Sequence, residues 1–142
     1  MIQSRIQLLS MLCLAGWLSA CGSGGGGFGL GYTDFQANLP HEYLLTQASA
    51  HEVTITLDFG GDEKEIPAKV VSCGFDDRFI LAQQQLLDAT DDPVRGKYQY
   101  WIIDATAQKR FGPFTEVEFN AQRKALGVSD QIKLRGTDSY RP

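Results

Sequence analysis

HEVTITLD, residues 51–58, sets Val53, Ile55 and Leu57 against Glu52, Thr54 and Thr56. Apolar side chains at every second position in a β-branched stretch are the pattern of a strand with one face buried and the other wet. Gly60, Gly61 and Asp62 follow, residues that accept positive φ, and the run from Ile66 to Ser72 is again extended in character. Together these predict a β-hairpin. Pro67 has no N–H to give a ladder, so it belongs at a strand start or on an edge.

Downstream the pattern repeats. A turn at Cys73-Gly-Phe-Asp-Asp77 leads into Arg78-Phe-Ile-Leu-Ala82, and a polar loop over 88–97 precedes Tyr98-Gln-Tyr-Trp-Ile-Ile103. Residues 104–109 then turn the chain into Arg110-Phe-Gly, with a further candidate strand at 43–47. Thr115-Glu-Val-Glu118 has the form of a capping box, with Phe114 and Phe119 placed to pack together across it. Pro113 discourages helix just upstream, and Gly127 is a natural C-terminal cap, so a helix of about eleven residues is predicted between them. The inner sheet face cannot stay in water, and an amphipathic helix is the element available to cover it. The expected class is α+β: a small antiparallel meander of about five strands with one C-terminal helix packed on it. The tail over 129–142 carries only the short Ile132, Leu134 alternation and is expected to fray.

Upstream of this domain the chain has the parts of an export signal: a basic residue, Arg5, an apolar run over 6–18, and small residues after it. That run is shorter than the ~20 residues needed to span a bilayer as a helix. Leu18-Ser-Ala-Cys21 resembles the bacterial lipobox, in which the bond between Ala20 and Cys21 is cut and the thiol takes a diacylglyceryl group as a thioether. Several acyl chains, at about 0.8 kcal/mol per buried methylene, would make a lasting anchor. The Gly-rich stretch that follows Cys21 reads as a flexible tether, with a reach of about 15–20 Å over ten residues. A phosphate-cradling glycine loop would need a strand before it and a helix after it. The expected organisation is a leader over 1–20, acylated Cys21 and tether over 21–31, one domain over 32–128 and the tail. Gly22 stands where an aspartate would signal inner-membrane retention, which favours the outer membrane if the organism has one.

Loss of Arg5 with the leader takes the basic count from 13 to 12 against 17 acidic residues, a net charge of −5. With no basic patch, nucleic acid is not an expected partner and lipid must do the anchoring. Acylation of Cys21 leaves Cys73 as the one thiol of the mature chain, so no internal disulfide forms.

Side chains with chemical potential were weighed in turn. Cys73 is a candidate nucleophile if His41 or His51 meets it, since thiol catalysis needs a base and a lowered pKa; without one it is a small hydrophobe. Asp76 and Asp77 suit a cation, but aspartate also accepts turn N–H groups. Asp88, Asp91 and Asp92 place three carboxylates within five residues, without the glycine and oxygen spacing of a calcium loop. No ligand pair has zinc spacing. Tyr98, Tyr100 and Trp101 form a candidate binding surface, in which the tyrosines share one strand face and Trp101 joins Ile103 on the other.

Cys73-Gly-Phe-Asp-Asp-Arg-Phe-Ile80, Tyr98-Gln-Tyr-Trp-Ile-Ile-Asp104 and Phe111-Gly-Pro-Phe114, in that order, resemble a family of small bacterial lipoproteins catalogued as a domain of unknown function. The similarity covers roughly residues 43–128 and departs at Phe75, where the pattern implies tryptophan. It implies fold and location and transfers no catalytic residue. The expectation is a non-enzymatic, membrane-anchored module of the cell envelope that needs no cofactor and presents a sheet face or edge to an envelope protein. A thiol enzyme built on Cys73 and a ligand- or cation-binding lipoprotein are the alternatives.

Overall fold

The computed structural model describes residues 35–58 and 66–142. The leader, Cys21, the glycine tether and the Gly60–Asp62 turn lie outside the described residues. Strand β1 (Phe35–Asn38), a 3-10 turn (Pro40–Glu42), β2 (Tyr43–Gln47) and β3 (Val53–Leu57) form an antiparallel sheet in the order β1-β2-β3. Strands β4 (Val70–Phe75), β5 (Phe79–Leu87), β6 (Pro93–Asp104) and β7 (Lys109–Phe114) meander into a second sheet. Helix α1 (Glu116–Ala125) follows, and the short β8 (Arg135–Gly136) completes the order β7-β6-β5-β4-β8.

The α+β class, the antiparallel sheets and the late helix stand as expected, but two sheets replace the single meander. HEVTITLD does form β3, yet it pairs along its whole length with β2, from Tyr43 opposite Leu57 to Gln47 opposite Val53. Among the described residues its ladder contact with the later segment is a single bridge between Ile55 and Ile66. The physical reason is local. Tyr43, Leu45 and Gln47 alternate inward with the same period as Val53 and Ile55, whereas Pro67 offers no N–H with which to continue a ladder from Ile66.

The elements stack as small sheet, large sheet and helix. Between the sheets lie Tyr43, Leu45, Val53 and Ile55 from one side and Val70, Cys73, Ile80, Ala82, Trp101 and Ile103 from the other. Beneath the helix, Phe79, Leu81 and Ile102 pack on Phe119, Val128 and Ile132. Alternation along β5 and β6 therefore sends successive residues into two different cores. A sheet covered on both faces reads as unbroken apolar runs, which is why RFILA and YWII lack the polar spacing of HEVTITLD.

Helix α1 begins as its capping box requires. Thr115 Oγ1 accepts from the N–H of Glu118 at 3.3 Å, and Glu118 Oε2 accepts from the N–H of Thr115 at 2.8 Å. Gly127 ends the turn in the left-handed region at φ 69°. Only Phe119 of the helix is buried. Gly112 supplies a second special conformation, φ 127°, where β7 crosses Trp101; a Cβ there would lie 2.8 Å from the Tyr100 carbonyl oxygen and 2.9 Å from the indole ring.

The tail does not fray. β8 pairs with β4 at Ser72 and Cys73, Val128 and Ile132 are buried, and Arg123 Nη2 donates to the carbonyls of Ser129 and Ile132 at 2.9 and 3.2 Å. A Cβ on Gly74 would collide with the Lys133 carbonyl, so this glycine lets the tail lie directly on β4. Tyr140 then donates to the Cys73 carbonyl at 3.0 Å, and Arg141 Nη2 donates to Gln47 Oε1 at 3.0 Å. The tail thus satisfies an otherwise open β4 edge and ties the helix layer to the small sheet, a gain that two apolar residues in sequence do not announce.

Candidate functional site

The candidate aromatic surface is divided by the sheet's two covered faces. Tyr98 is 45% exposed. Tyr100 lies under the helix, its ring stacked on Phe119 with centroids 5.0 Å apart, and its hydroxyl accepts from Gln83 Nε2 at 3.0 Å. Trp101 points the other way into the inter-sheet core, where its Nε1–H donates to Gln84 Oε1 at 2.8 Å. Gln84 is itself buried and engaged at both amide atoms, accepting also from Gln99 and donating to the Ala68 carbonyl. The three aromatic residues do not form one surface.

Cys73 is fully buried between the sheets. Burial pushes its thiol up to about 11. The two imidazoles lie at opposite ends of β2. His41 sits in the turn before it, with Nε2 donating to the Asp77 carbonyl at 2.9 Å and lying 3.3 Å from Thr106 Oγ1. The Asp77 carbonyl that it meets is four residues beyond Cys73, about 13 Å of extended chain. His51 sits in the turn after β2, beside Ser49 and Glu52. A nucleophile needs an accessible thiolate and an adjacent base; Cys73 is buried, and His41 is engaged at the Asp77 turn.

The acidic pairs close turns. Asp76 Oδ1 accepts the N–H groups of Arg78 and Phe79 at 2.9 and 2.7 Å. Asp88 Oδ1 accepts from the Thr90 N–H, the Thr90 hydroxyl and the Asp92 N–H, contacts that lower its pKa. Among the described residues no group of three carboxylates, imidazoles or thiols converges as a metal site. A pair that sequence reading missed joins two of the spaced motifs: Arg78 Nη2 donates to Asp104 Oδ2 at 2.7 Å. The Arg78 guanidinium, followed by desolvation acting the other way, holds the Asp104 carboxyl below its usual range. The adjacency of FDDR and IID becomes visible only when Phe79 is seen opposite Asp104 in the ladder.

Two sheets have four faces, and three of them are covered. The fourth is the outer face of the small sheet, where Gln36, Thr46 and Thr54 form one cross-strand row and Asn38, Leu44 and Thr56 the next. None of these six is buried, none is charged, and among the described residues no element packs over them. The signal for this face was present in the alternation of residues 43–47, whose outward positions are Leu44 and Thr46. At the end of the sheet where Phe35 enters, the Arg141 guanidinium lies over its ring at 5.5 Å, so both described termini leave from one end. No described helix is long and apolar enough to cross a membrane.

Comparison with known proteins gave no match among curated proteins and none among solved structures. A family model does match, over residues 40–139, well beyond the stretch that the spaced motifs span and more than half of the chain. The chain belongs to the family described as "Protein of unknown function (DUF3997)".

Proposed function

We propose that the chain is a bacterial lipoprotein, held in the cell envelope by acyl chains on Cys21, and that it works as a non-enzymatic interaction module. The observation that carries the interaction role is the outer face of the small sheet, over which no element packs among the described residues. A flat polar face with three threonines and two amides offers hydrogen bonds without the desolvation cost of charges. The Leu18-Ser-Ala-Cys21 motif and the glycine-rich stretch after it support the anchor, and the first described residue, Phe35, lies at the end of the sheet that holds Arg141. The outer face of the small sheet is the surface offered to an envelope protein. The Gly22 position favours the outer membrane where one is present.

The reading is tested in the producing cell. A photo-crosslinking residue at Thr54 on the outer face should capture a reproducible protein, and the same probe at Lys124 on the helix should not. Equal capture from both positions, or none from Thr54, would refute the interaction role. Cys21→Ala should release the chain from the membrane fraction; retention there would refute the anchor.

A further inference from the structure

Beyond the open sheet face, the molecule has a pocket that stands apart in charge. Where β4 runs past the end of β8, Gly74, Phe75, Gln131, Lys133, Arg135 and Tyr140 line a cavity of about 200 Å³. Its two charged residues are both cations, in a chain whose net charge is −4 with the leader included. The other cavities differ. One between the 48–52 turn and the β5–β6 hairpin carries Glu52 and Asp91, and one beside Gln47 and Val53 sets Lys69 and Arg141 against Asp138, to which Arg141 is paired.

The cations are placed by the same alternation that docks the tail. Ile132 and Leu134 turn into the core under the helix, so Lys133 and Arg135, two apart, turn outward. Both are exposed. The aromatic wall is equally specific. Phe75 is 38% exposed at the end of a strand that otherwise packs inward, and its ring lies 6.0 Å from that of Tyr140, tilted by 34°. The Tyr140 hydroxyl is committed to the Cys73 carbonyl, which holds the ring in place. Exposed aromatic surface beside two cations matches a ligand with an anionic head and a flat or apolar body.

The geometry points to this pocket as a binding site for an oxyanion, phosphate or carboxylate, carried on a ring-shaped or apolar group. Arg135 and Lys133 take the anion, and Phe75 and Tyr140 take the body. The site is independent of the Cys21 anchor and of the outer sheet face, so each of the three fails or stands alone.

The test is an NMR titration of the folded chain with phenyl phosphate, benzoate and inorganic phosphate, followed at the backbone amides of Gly74, Arg135 and Tyr140. Saturable shifts with phenyl phosphate or benzoate, stronger than with inorganic phosphate, are expected, and the better of the two identifies the headgroup source. The double variant Lys133→Gln/Arg135→Gln should weaken binding by about tenfold or more, as loss of charge-assisted hydrogen bonds implies. Phe75→Ala should weaken the aryl ligands but not inorganic phosphate, and Lys97→Gln, on the β6 arm, should change nothing. No saturable shift up to about 10 mM, tenfold above a millimolar Kd, would overturn the assignment. So would equal affinity in the wild type and the double variant.

Discussion

Replacing Phe119 with alanine removes the only buried side chain of α1. The ring is 3% exposed, stacks on Tyr100 at 5.0 Å, and lies beneath the Arg123 guanidinium at 5.7 Å. Phe→Ala in a core costs about 3–5 kcal/mol, a large share of the 5–15 kcal/mol that holds a domain together. With a urea slope of about 2 kcal/mol per M, the unfolding midpoint should fall by about 1.5–2.5 M. Trp101 fluorescence reads the transition, since that indole is 6% exposed in the inter-sheet core. Phe119→Leu keeps most of the apolar volume and loses chiefly the ring stacking, about 0.5–1.5 kcal/mol. Val117, two positions away and 80% exposed, should tolerate alanine within about 0.5 kcal/mol. A Phe119→Ala cost below about 1 kcal/mol, or an equal cost at Val117, would refute the single-anchor docking of the helix.

Gly112→Ala places a Cβ against Trp101 at φ 127° and should destabilise by about 1–3 kcal/mol, read in the same urea experiment; an unchanged midpoint would show that the β7 crossing has slack. Asp104 has a lowered pKa in the folded chain, so its pair with Arg78 contributes fully above the unfolded carboxylate value of about 3.9 and fades as pH falls through the lower folded value. Asp104→Asn should remove that part of the acid limb in a plot of Tm against pH, and superimposable limbs would contradict the pairing. Cys73, buried with its thiol raised to about 11, should react with a thiol reagent only after unfolding, the labelled cysteine being identified by peptide mapping; rapid labelling of Cys73 in the native protein at pH 8 would contradict its burial.

The features legible in sequence were those decided within a few residues. The capping box at Thr115, the glycine stop at Gly127 and the turn at Asp76 each depend on backbone groups two to four positions away, and each forms as read. Features that depend on what lies across the fold were misread. Residues 51–58 showed a strand but not its partner, because pairing with 43–47 rather than 66–72 depends on which neighbour can continue the ladder. RFILA and YWII read as strands, but the covering of both their faces was not read from them, although unbroken apolar runs are what a doubly covered sheet requires. The alternation that sets Tyr98 and Tyr100 on one face and Trp101 on the other holds, but Phe119 of the helix stacks on Tyr100 and the inter-sheet core takes Trp101, which leaves Tyr98 as the exposed one of the three. The tail's docking rests on an absent Cβ at Gly74 and on carbonyl acceptors for Arg123 and Tyr140, none of which has a periodic signature. The Arg78–Asp104 pair spans 26 positions and needed the β5–β6 register to be seen.

Mass spectrometry of the mature N-terminus, on protein taken from cells fed labelled palmitate, tests the anchored-module account most directly. The account predicts that the chain begins at Cys21, carries labelled acyl chains with a thioether on its sulfur, and sediments with the membrane. A chain starting elsewhere, or one with a free Cys21 thiol in the soluble fraction, would contradict it.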